Sequence, residues 1–77
     1  MEKDINKLIK ILIGFGYKGI KLKTLAEKIN ININTLYTIK SNKRISDKMY
    51  YYIITELKKN YKNEFEDILL LIERGII

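Results

Sequence analysis

The sequence predicts an all-α domain, a compact bundle of about five short helices. Two observations carry that expectation. The 77 residues contain no proline and only four glycines, with 47 % of the side chains apolar. Those apolar side chains also recur at helical spacing along five separate stretches. A chain of this length is one domain, 1–77, near the lower size at which a hydrophobic core alone holds a fold.

Asp4 is placed to cap a first helix. In it Ile5, Leu8, Ile9, Leu12 and Ile13 share one face, and Lys3, Lys7 and Lys10 line the other. The run Gly14-Phe15-Gly16-Tyr17-Lys18-Gly19 reads as the end of that helix and a connector, with Phe15 and Tyr17 tucked back onto the core. Its spacing is not that of a phosphate-binding nucleotide loop, and no Lys-Ser/Thr pair follows. A second helix runs from about Leu22 to Ile29, with Leu22, Leu25, Ala26 and Ile29 inward. Asn30 breaks it, since asparagine tolerates left-handed backbone better than most residues. Asn32 then caps a third helix of about Ile33 to Lys40, with Leu36 and Ile39 inward.

Ser46 caps a fourth helix, and Asp47 suits the positive end of its dipole. Met49, Tyr50, Ile53, Ile54 and Leu57 form its apolar stripe. Tyr50, Tyr51 and Tyr52 point in different directions, so only some join the core. For Tyr51 and Tyr52 partial burial is the expectation, with a phosphate hydrogen bond as the alternative. The last helix is expected over about 63–75, with Asn63 and Glu66 as a capping box and Gly75 as the stop. Tyr61, Phe65, Ile68, Leu69 and Ile72 fill one side of it. Leu70, Leu71, Ile76 and Ile77 exceed what a small core needs, which points to a homodimer interface.

Charge divides the chain. Residues 1–48 carry eleven Lys/Arg against four Asp/Glu, a net of +7, whereas residues 49–77 carry four against five, a net of −1. A positive field concentrated in one part fits a phosphate-binding surface. Absent cysteine leaves no disulfide framework or thiolate metal site, and absent histidine removes the commonest metal ligand and acid–base group. No metal, no cofactor and no catalytic residue is expected, and the reading is not an enzyme. Charged and amide side chains interrupt every apolar run, and no signal-peptide pattern opens the sequence. The expectation is a cytoplasmic protein without a membrane partner.

Residues 22–41 place a small alanine-centred helix, a tight turn and a second short helix in succession. The order Leu25-Ala26, Ile29, Asn30, Ile31, Leu36, Ile39 resembles the helix-turn-helix of the lambda-repressor/Cro family of small phage and bacterial repressors. Ala26 stands where that family wants a small helix contact, Ile31 plugs the turn, and Leu36 and Ile39 pack the second helix on the first. Asn42-Lys43-Arg44 resembles the family's turn after the recognition helix. The likeness covers roughly residues 20–57. Asn30 and Asn42 replace glycines of the pattern, Leu22 replaces a glutamine, and Ile33 stands where many members carry a base-reading glutamine.

The resemblance implies sequence-specific binding of double-stranded DNA, with the second helix of the motif in the major groove. Carried over by position, the base-reading set is Asn32, Ile33, Asn34, Tyr37, Thr38 and Ser41. Lys23, Thr24, Lys40, Asn42, Lys43 and Arg44 fall where the family touches phosphates. A two-fold dimer sets its recognition helices about 34 Å apart, so a pseudo-palindromic operator and repression are expected. With no separate effector domain, a small-molecule switch is not expected. The alternative is a phage-encoded inhibitor of a host protein, like some anti-CRISPR proteins, using the same scaffold with or without autorepression. Ile33, Leu22 and the tyrosines motivate it.

Overall fold

The computed structural model describes residues 3–77. Five helices follow one another: α1 (Ile5–Tyr17), α2 (Leu22–Lys28), α3 (Ile33–Asn42), α4 (Asp47–Asn60) and α5 (Lys62–Glu73). No strand occurs among the described residues. The molecule is an all-α bundle, nearly as broad as it is long at 27 × 25 × 22 Å.

Three of the five starts are capped as the sequence requires. Asp4 Oδ1 accepts from the Lys7 amide at 3.0 Å, Asn32 Oδ1 from Asn34 at 2.8 Å, and Ser46 Oγ from Met49 at 3.2 Å. Each satisfies one amide that the first helical turn leaves without an internal partner. The last helix departs from expectation. It begins at Lys62, Tyr61 occupies the cap position, and no side chain caps it. Asn63 lies inside the first turn, so the anticipated capping box does not form.

Three of the five helix ends share one device. Gly19, Asn30 and Gly75 each adopt positive φ directly after the C-cap. The following amides reach back to close the turn: Ile20 to the Phe15 carbonyl, Ile31 to Ala26 and Ile76 to Leu71, each at 2.9 Å. These six-residue closures are Schellman motifs. α3 ends differently. Lys43, not Asn42, takes the left-handed conformation at φ 54°, and its amide donates to the Ile39 carbonyl at 3.0 Å. Asn42 remains the last helical residue.

α1 packs along α5, α2 lies on α3, and α4 runs against α5. The core draws on all five: Leu8, Ile11, Leu12 and Phe15, then Leu25 and Ala26, Leu36 and Ile39, Tyr50, Ile53 and Leu57, and finally Phe65 and Ile68. The Phe15 and Tyr61 rings meet edge to face with centroids 5.3 Å apart, fixing α1 to the α4–α5 junction. The glycine-rich run corrects the expected connector, because α1 continues through it to Tyr17. Gly14 is buried in the helix, and a Cβ there would stand 2.5 Å from Ile68 Cγ2 and 3.0 Å from Ile77 Cδ1. Glycine is therefore what lets α5 and the C-terminal residue approach α1. Phe15 enters the core as expected, whereas Tyr17 is 71 % exposed. Lys18 Nζ pairs with Asp67 Oδ2 at 3.1 Å across the same seam.

Candidate nucleic-acid interface

Residues 22–41 form α2, the Asn30 turn and most of α3. Leu25, Ala26, Ile29, Leu36 and Ile39 are buried, and Ile31 packs against that core from the turn. The inward half of the stretch thus anchors the pair. Its outward half carries Asn34, Tyr37, Thr38 and Ser41 along the exposed side of α3, with Tyr37 52 % exposed.

The other positions are less free than spacing alone suggests. Asn32 is exposed, but its side-chain oxygen is committed to the α3 cap, which leaves its amide nitrogen to face outward. Ser41 Oγ donates to the Tyr37 carbonyl at 3.0 Å, one turn back along its own helix. Ile33 and Leu22 are half-buried and pack against the core, so each presents only part of an apolar side chain at the surface.

Basic groups frame this face. Lys23 and Thr24 are exposed on α2, and Lys40, Asn42, Lys43 and Arg44 are exposed at the end of α3 and in the segment after it. The ion pairs among the described residues are Lys3–Asp47 and Lys18–Asp67. Lys23, Lys40, Lys43 and Arg44 therefore enter none of them, and their charges remain available to an incoming anion. Between α3 and the start of α4 lies an open depression of about 480 Å³. Asn34, Thr35, Thr38, Arg44 and Ser46 supply its polar groups, and Ile39, Ile45 and Met49 its apolar ones. Thr35 was not among the positions that the resemblance pointed to. It lies one helical turn before Ile39 and is half-buried, so spacing files it between the two faces.

Two long-range contacts hold the frame. Tyr52 Oη donates to the Ile29 carbonyl at 2.6 Å, tying α4 to the end of α2. That carbonyl belongs to the last turn of a helix, where acceptors lack an intrahelical donor. Tyr52 therefore spends its hydroxyl inside the protein. Lys3 Nζ donates to the Ile45 carbonyl at 2.7 Å and lies 3.0 Å from Asp47 Oδ1. It stitches the segment before α1 to the loop that carries Arg44. Sequence spacing assigned Lys3 only to the solvent side of the first helix, and a partner 42 residues away leaves no local signal.

The expected interface residues on and after α5 divide. Leu70 is 46 % and Ile76 63 % exposed, and Leu71 is half-buried. Ile77 packs against the core beside Gly14, so part of its apolar surface already has a partner within the chain. Among the described residues, no helix is long and apolar enough to cross a membrane, and no group of three or more His, Cys, Asp or Glu side chains is placed to hold a metal ion. Comparison of the chain with protein-family models, curated proteins and solved structures returned no match.

Proposed function

We propose that this protein is a sequence-specific double-stranded DNA-binding regulator of the lambda-repressor/Cro kind, acting in the cytoplasm as a homodimeric repressor. The observation that carries the reading is the outer face of α3. It is polar, exposed and flanked on both sides by cations outside any ion pair among the described residues. In this reading Asn34, Tyr37 and Thr38 meet base edges, and Asn34 pairs with an adenine. Lys23, Lys40, Lys43 and Arg44 bind phosphates and set register. Dimerisation through Leu70, Leu71 and Ile76 sets two α3 helices on a pseudo-palindromic operator, where the protein blocks transcription.

The test is selection from a random duplex pool, followed by gel-shift titration across salt concentrations. Binding should fall steeply with salt. Asn34→Ala should cost about 1–3 kcal/mol of discrimination at one base pair while leaving non-specific binding intact. A protein that shifts no duplex at low salt is not a repressor of this kind.

The second reading, an inhibitor that applies the same face to a host protein, is favoured by Tyr37. A half-exposed tyrosine on a polar helix suits a protein interface. Ile33 and Leu22, which also suggested that reading, have much of their apolar surface engaged with the core. Co-purification of a host enzyme lost on Tyr37→Ala, without duplex binding, would replace the first reading by this one.

A further inference from the structure

Helices α1, α4 and α5 leave a groove of about 190 Å³ that no α3 residue lines. Half-buried Ile54 and Leu69 and the exposed Tyr51 line it over a floor of buried Ile11, Tyr50 and Phe65, and Lys7 and Lys58 add the charge. Among the described residues, no Asp or Glu lines it. Both lysines are exposed, and neither is in an ion pair among the described residues. Two unneutralised ammonium groups beside an apolar trough make a surface complementary to an apolar body with an anionic head. The volume is below the roughly 300–1,000 Å³ of sites for drug-sized ligands. A docked amphipathic helix would need a longer trough, because its anchors are spread over several turns.

We propose that this groove binds a small anionic amphiphile, a medium-chain carboxylate. Its chain lies along Ile54, Leu69 and the Tyr51 ring above buried Ile11 and Phe65, and its carboxylate pairs with Lys7 or Lys58. Chain burial supplies most of the affinity, since each methylene removed from water contributes. The lysines supply the preference for an anionic head. This site shares no residue with the α3 face and stands whether or not that face binds DNA. It also runs against the expectation that, with no separate effector domain, a small-molecule switch is absent.

The experiment is a titration of the ¹⁵N-labelled full chain with sodium octanoate, below the concentration at which it forms micelles, and in parallel with 1-octanol. Saturable shifts confined to amides around Ile11, Ile54, Phe65 and Leu69 are expected, with octanoate about two- to fivefold tighter than octanol. The double variant Lys7→Gln/Lys58→Gln replaces two exposed side chains, and its spectrum reports whether the fold is kept. It should bind octanol unchanged and lose the preference for octanoate. Equal affinity for the two ligands in the native protein overturns the proposal, as do shifts spread over α3. Binding of an acidic amphipathic peptide in the groove, with none of octanoate, overturns it in favour of a protein partner.

Discussion

The α1–α5 seam and the α2–α3 pair are built on opposite principles. Along the seam, two helices of 13 and 12 residues approach closely enough that one position admits only glycine, and the contact is almost wholly apolar. The α2–α3 pair has helices of 7 and 10 residues that bury only their inner sides. Helices so short gain little from their own hydrogen bonds. Their geometry is set by the Asn30 closure and the Asn32 cap in their turn and, from α4, by the Tyr52 hydroxyl. Both the seam and the pair feed the core, but the pair also keeps a polar outer face exposed.

Substitutions at the seam should give the largest effect. Gly14→Ala adds a methyl group 2.5 Å from a carbon of the fully buried, β-branched Ile68. Overpacking of this kind outweighs the gain in helix propensity, so a net loss of about 1–2 kcal/mol is expected in denaturant unfolding. Tyr52→Phe removes one hydrogen bond and should cost about 1 kcal/mol. Its signature is regional. Amide exchange should quicken around Ile29 to Ile31 and stay unchanged along α1 and α5; uniform quickening would mean that the pair is not braced separately. Gly16→Ala is the internal control for Gly14, because nothing lies within 4 Å of a Cβ there and the backbone is helical. It should raise stability by about 0.5–1 kcal/mol. Two glycines two residues apart should thus respond with opposite signs.

Local rules made much of this fold legible. Asp4, Asn32 and Ser46 cap as their chemistry demands, and Asn30 turns the chain where the apolar spacing resets. Leu25, Ala26, Ile29, Leu36 and Ile39 are buried as their periodicity requires, with Leu22, also expected inward, only half-buried. Local rules also produced the errors. Glycine reads as punctuation, so Gly14 looked like a helix end. Its actual role is to admit Ile68, 54 positions on, and no window of sequence contains both. The capping box at Asn63 failed because α5 starts one residue earlier, where one step of register removes the motif. At the candidate site, spacing found the exposed polar face but not the supports. Tyr52 to Ile29 and Lys3 to Ile45 are contacts created by the tertiary fold, and Thr35 gains its place only from the depression beside α4.

Lys43 remains, a lysine in left-handed backbone at the end of α3. An L-residue there costs about 1–2 kcal/mol that glycine avoids. Replacement by glycine should return a net of about 0.5–1 kcal/mol, a rise in melting temperature of several degrees. If Lys43 neutralises a phosphate, the same change should flatten the slope of log affinity against log salt by about one. Selection for heat resistance alone would therefore push position 43 toward glycine, and selection for partner affinity would push it back. The residue found there records which pressure prevailed, and a library sorted separately for thermal survival and for duplex capture should split at that codon.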